Sequence, residues 1–399
     1  MADISALASR QPAEVPASLS QPEPIPLRTL ALLLTYECTT TDPRYTGLKL
    51  GGSTRGDLGM AEGVKNLTPK IWEGEAESVM RRSVHIFAPD TENEGENETA
   101  SDKNETRYPP ATCQIHPLST DGVKSLSLAE RDLIFYETSG SGRDWDAIQM
   151  FQAFFDLCPE RQEVLVQIDD EGPLILPATS HTVLNISLNS PKHDIRTIIQ
   201  GSTESDITSF LSGASNNEKH SVLAFQSPHP EDKNNSSVMQ KNDKDADENL
   251  KSHIILDTTL LQYGDSGRGI HGENYFLGSY SAYLSTMSKI CGELKLQPSL
   301  PSLPAPHSSN PNTPSTRTQT QNQIWINSCA ERAFHRWQNR DKEGWCDYCG
   351  RGGKELKRCS ACKTKNVWFC SEEHQKAGWK LHKLVCERRV VFGPKRVGE

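Results

Sequence analysis

The chain has 399 residues, a formal net charge of −9, 35% apolar residues and a low mean hydropathy. A single packed globule of this length would carry more apolar residues, so part of the chain is expected to stay unfolded. No run of about 18 apolar residues is present to span a bilayer, and MADISALASRQPAEVP lacks the basic-then-apolar build of a secretory signal. The reading is an intracellular protein, cytoplasmic, nuclear or both, in which clustered cysteines bind metal rather than form disulfides.

Residues 1–27 read as a flexible tail and 28–297 as an α+β body. TENEGENETASDKNETR, near 91–107, and PHPEDKNNSSVMQKNDKDADENLK, near 228–251, are polar, charged segments with almost nothing to bury, and read as disordered insertions. Within the body, RDWDAIQMFQAFFDLC places Ile148, Phe151, Phe155 and Cys158 at helical spacing. EVLVQIDD, TVLNISL, SVLAF and HIILDTT carry the β-branched runs of short strands, and YFLGSYSAYLSTMSKICGELK is predicted helical. The glycines of YGDSGRGIHG are not followed by a Walker lysine-serine pair and read as a turn.

The rest of the chain reads as a Pro/Ser/Thr/Asn-rich linker over 298–323, a connecting helix over 324–341, a cysteine-rich module over 345–386 and a basic tail over 387–399. Ile326, Cys329, Ala330, Ala333, Phe334 and Trp337 form the apolar stripe of that helix. From Asp341 onward 14 Lys and Arg stand against 8 Asp and Glu, so the part before it is strongly acidic.

Six of the 11 cysteines lie after residue 345. WCDYCGRGGKELKRCSACKTKNVWFCSEEHQKAGWKLHKLVC presents four donor pairs in order: Cys346 with Cys349, Cys359 with Cys362, Cys370 with His374, and His382 with Cys386. A C-x2-C turn aims two thiolates at one ion, and an i,i+4 pair shares one helix face. Eight donors satisfy two tetrahedral Zn2+ ions, and a cysteine-rich set with two histidines suits zinc better than hard cations or an iron–sulfur cluster. Spacing alone leaves interleaved and sequential pairing open. Four-coordinate sites leave no position for substrate, so the zincs are expected to hold structure and not to catalyse.

The order and spacing of these pairs, Phe369 just before the third, and the run Gln375 to Trp379 before the closing H-x3-C resemble the MYND-type zinc finger. The resemblance covers about a tenth of the chain. It implies interleaved sites, Cys346, Cys349, Cys370 and His374 in one and Cys359, Cys362, His382 and Cys386 in the other. It also implies a protein-interaction module that docks short proline-containing peptides at Gln375 and Trp379. His374 stands where the family usually has cysteine, and Gly378 where it usually has an acidic residue. Each site would be Cys3His with a formal charge of −1, which the surrounding lysines and arginines offset, so nucleic acid is not the expected partner. PSLPSLPAP in the linker resembles the peptides such fingers accept but misses the strict P-x-L-x-P spacing, and a plain spacer is the preferred reading.

Fingers of this kind also occur beside SET methyltransferase domains, but neither an NHSC-like stretch nor a G-x3-aromatic closing motif is present. The reading is therefore a zinc-binding adaptor or scaffold. The alternative is a papain-like or transglutaminase-like thiol hydrolase using Cys38 or Cys158, His220, Asp257 and Gln262: such folds carry a cysteine early, then a histidine and an acid, and covalent chemistry needs those groups.

Overall fold

The structure is a computed structural model that describes residues 22–55, 81–89, 114–117, 119–168, 173–201, 206–226, 250, 252–297, 316–353, 355–362 and 366–386. The two polar insertions lie outside the described residues apart from Leu250, as do the PSLPSLPAP stretch and the basic tail.

The first half of the chain runs β1 (Ile25–Pro26), α1 (Leu27–Thr40), β2 (Leu48–Ser53), β3 (Arg81–Pro89), a single turn at Asp121–Lys124, α2 (Leu128–Ser139) and α3 (Asp144–Asp156). Then follow β4 (Glu163–Val166), β5 (Leu174–Pro177), β6 (His181–Pro191), β7 (His193–Gln200), β8 (Ile207–Ser212) and β9 (Glu218–Gln226). After β10 (His253–Asp257) come β11 (Phe276–Ser279), α4 (Tyr280–Ile290), β12 (Cys291–Leu296) and α5 (Thr316–Gln338). The fold is α+β, with the cysteine-rich module at its C-terminal end.

Among the described residues three sheets carry the body. The largest is antiparallel, in the order β11-β10-β9-β6-β12; a second runs β2-β3-β7-β8, and a third β1-β4-β5. Period-two alternation gives the largest sheet two apolar faces. Leu223, Phe225, Ile254 and Leu256 face the layer of α1, α3 and α5, while Val222, Ala224 and Ile255 face Tyr283 and Met287 of α4.

Helix α1 is the centre of the main core. LRTLALLLTYECTT carries Thr35, Glu37 and Thr39 beside its leucines, yet all of its residues except Arg28, Thr29 and Thr40 are buried, so the helix is enclosed along most of its length. It is covered by α3, through Phe151 and Phe154, and by α5, through Ile326, Cys329, Ala330 and Ala333. Each such large side chain contributes about 1.5–3 kcal/mol on burial. The apolar stripe of α5 is thus part of the body's core, and the helix begins at Thr316, inside the stretch read as linker.

The run predicted helical from Tyr275 is strand, helix and strand. Ser279 accepts a hydrogen bond from the Ala282 N–H and so starts α4 inside it, while Cys291 returns the chain to the sheet edge opposite Pro191. Ser and Thr caps of this kind begin helices regardless of the preceding apolar run.

The candidate metal centre and the buried histidine cluster

The C-terminal module is built from two short strands, β13 (Lys357–Arg358) and β14 (Trp368–Phe369), and helix α6 (Glu372–Val385). Each C-x2-C pair lies on a tight turn: the Gly350 N–H donates to the Cys346 carbonyl and the Cys362 N–H to the Cys359 carbonyl. Gly350 takes φ +82°, a conformation that favours glycine. Ser371 caps α6 by accepting from the His374 N–H, which fixes His374 in the first turn beside Cys370. His382 follows two turns later, on the stretch that ends at Cys386.

The donor atoms gather in two groups, each within 4.8 Å: Cys346, Cys349, Cys370 and His374, and Cys359, Cys362, His382 and Cys386. The pairs interleave. In the first group Cys349 and Cys370 sulfurs are 3.7 Å apart, and His374 Nδ1 lies 3.0 Å from Cys370 Sγ and 3.8 Å from Cys346 Sγ. In the second, Cys362 and Cys386 sulfurs are 3.8 Å apart, and His382 Nε2 is 3.3 and 3.5 Å from Cys359 and Cys362. A tetrahedral zinc with Zn–S of about 2.3 Å and Zn–N of about 2.0–2.1 Å needs S···S edges of about 3.8 Å and S···N edges of about 3.6 Å. The donor set and its spacing fit two zinc ions, and bound there they would hold the turns and α6 together.

Residues 346–386 match the MYND finger family. This region is a MYND finger. The chain is also similar, over short stretches, to several curated proteins. It is similar to SET domain-containing protein 14 of Caenorhabditis elegans, 47% identical over 45 residues, 11% of this chain and 10% of that protein. It is similar to human N-lysine methyltransferase SMYD2, 36% identical over 66 residues, 16% and 14% of the two chains. It is similar to human Egl nine homolog 1, 44% identical over 48 residues, 12% and 10%. The matched part is thus a small fraction of each relative's length. No solved structure matches the chain.

Gln375 and Trp379 lie one turn apart on α6, with Gln375 half-buried and Trp379 44% exposed, its ring 5.7 Å from that of His382. Gly378 is buried between them. A Cβ there would stand 3.2 Å from Phe369 and 3.3 Å from Tyr348, so this finger has little room for a larger residue at that position.

The finger is seated on the body. His374 Nε2–H donates to Asp132 Oδ2 of α2 at 2.8 Å, with both side chains buried. Tyr348 packs its ring on His374, and Arg268 donates to its hydroxyl at 3.3 Å. Arg336 donates to the Gly350 carbonyl and bonds Glu37 of α1 at 2.9 Å, where Arg332 also binds at 2.7 Å. Gly350 itself rests on Tyr36, leaving no space for a Cβ. Burial disfavours charge on His374, but the Asp132 hydrogen bond and the sulfurs of Cys346 and Cys370 outweigh it and raise its pKa to about 12.

The thiol-hydrolase groups assemble in part. His220 Nε2 meets Asp257 Oδ2 at 2.7 Å, Gln262 Nε2 is 3.3 Å from His220 Nδ1, and Tyr283 donates to Asp257 at 3.1 Å. The histidine is fully buried; burial opposes its charge, but Asp257, Asp144 and Glu218 prevail and raise its pKa to about 9. Neither thiol joins this cluster. Cys38 faces Cys329, Asp42 and Arg143, and burial raises its pKa well above the usual range. Cys158 donates to the Phe154 carbonyl past the end of α3, and burial raises its pKa to about 11. With both imidazole nitrogens engaged and both thiols held protonated, the arrangement lacks an activated nucleophile.

Proposed function

We propose that the protein is an intracellular zinc-binding adaptor or scaffold whose MYND finger docks short proline-containing peptides of partner proteins at Gln375 and Trp379. The observation that carries this reading is the exposure of Trp379 on a finger that is otherwise seated against the body. His374 bonds Asp132 of the body, Ala377, Gly378 and Leu381 of α6 line a cavity with His271, Gly272, Glu273 and Tyr275 of the body, and Gln375 and Trp379 lie roughly a third of a turn around the helix from that flank. An exposed indole beside a polar amide can stack on a proline ring and bond the peptide backbone, which suits a pre-extended peptide. The N-lysine methyltransferase activity in the name of SMYD2 is not carried over, because that match is confined to 66 residues.

Titration of the full chain with labelled peptides holding a Pro-x-Leu-x-Pro core, followed by fluorescence anisotropy, tests this reading. Binding should drop at least tenfold in Trp379→Ala and less in Gln375→Ala. Equal binding by wild type and both variants would sink it.

A further inference from the structure

The histidine of the first site uses its two nitrogens on two parts of the chain. Nδ1 faces the sulfurs of Cys346 and Cys370, and Nε2 donates to Asp132, 242 residues earlier. A metal-bound imidazole needs an acceptor for its other N–H, and that acceptor fixes the tautomer and the ring's orientation. Here the acceptor belongs to the body.

Asp132 is fixed from its own side. The Ser127–Glu130 capping box starts α2, Ile134 packs among Tyr45, Leu50 and Phe87, and Leu133 and Tyr136 pack on Leu261. Asp132 is 4% exposed, and a buried carboxylate needs donors. On the finger side, the Ser371 cap sets His374 and the Tyr348 ring covers it. Neither partner can follow the other if the finger lifts away.

We propose that Asp132 is the positioning residue of the first zinc site, and that zinc occupancy there and docking of the finger on the body are one linked equilibrium. Zinc holds His374 in the tautomer and pose that Asp132 recognises, and Asp132 holds the imidazole ready for zinc. Linkage then requires that docking strengthens the first zinc by the same factor by which that zinc strengthens docking. The proposal also accounts for histidine at 374. A cysteine there would complete the four donors, but it offers no N–H to Asp132 and would set a thiolate beside a buried carboxylate.

Zinc release from the full chain to an excess of chelator, read by native mass spectrometry beside amide hydrogen exchange, tests the proposal. Asp132→Ala should release one zinc about 10–100-fold faster than wild type, keep the other at the wild-type rate, and exchange faster in α2. His374→Cys should still hold two zincs and yet show the same faster exchange in α2. Wild-type release of both ions from Asp132→Ala would overturn the proposal, and so would a His374→Cys protein whose α2 exchanges as wild type. If Asp132→Ala does not fold, His374→Cys decides the matter by itself, since it leaves Asp132 in place.

Discussion

The two zinc sites of the finger share a donor set and differ in what stands behind the histidine. In the first, His374 turns Nδ1 to the sulfurs and passes its other N–H to the body. In the second, His382 turns Nε2 to the sulfurs, and its ring is flanked by the finger's own Phe369 and Trp379. One site staples a small module that has few apolar residues of its own. The other joins that module to a body that already has a core. Identical chemistry therefore serves two levels of structure, and the surroundings of one ring nitrogen separate them.

Stripping both zincs should break the comparison most severely. Structural zinc contributes about 10–16 kcal/mol to folding in small fingers, so a strong chelator should abolish amide protection in α6. The sheet β9–β10 should keep its protection, while α2 and the Tyr36 end of α1 should lose some. Full retention of protection in α2 would mean that the seam does not depend on metal.

The next effect belongs to the seam itself. Glu37 is buried and bonded by Arg332 and Arg336, the second of which also holds the Gly350 carbonyl. Replacing both arginines with methionine leaves a buried carboxylate without these partners and should cost about 3–5 kcal/mol in urea unfolding, at the lower end because Arg332 reaches solvent. Release of the second zinc should be unaffected.

A smaller change is expected away from both sites. The folded pKa of His220, about 9, lies above its unfolded value near 6.5. Its contribution is therefore complete below about pH 6.5 and is lost as pH rises through about 9. Body stability in urea should fall over that window, and His220→Gln should flatten the profile without altering zinc content. The smallest effect on stability is expected at the exposed edge of the finger: Trp379→Ala should change unfolding free energy by no more than about 0.5 kcal/mol while removing peptide binding. A large loss of stability would make Trp379 a core residue instead.

The eight donors were legible because each pair is local: two turns and one helix set their spacing, and spacing survives in sequence. Their interleaving was not, because it depends on how β13, β14 and α6 bring distant pairs together, and only the family resemblance supplied it. The amphipathic stripes of α3 and α5 showed their period, whereas in α1 Thr35, Glu37 and Thr39 are buried beside the leucines, so polarity there does not mark a solvent face. His220 and Asp257 meet because their strands β9 and β10 are neighbours, and Gln262 joins them from the short helical turn after β10, but the thiols lie elsewhere, and burial rather than order decides their chemistry. Asp132 left no signal. It is one acidic residue in a helix surface pattern, and its partner lies in another part of the chain.

Helix α5 carries a consequence for the order in which the protein is made. The apolar wall of α1 is complete early in synthesis, but Ile326, Cys329, Ala330 and Ala333, which close over it, emerge nearly 300 residues later. Until then a nascent chain presents a sticky leucine-rich helix with one side uncovered, a condition that invites aggregation and chaperone capture. A truncation ending before Thr316 would make that state permanent, so the finger can be cut away cleanly only beyond Gln338, where α5 ends.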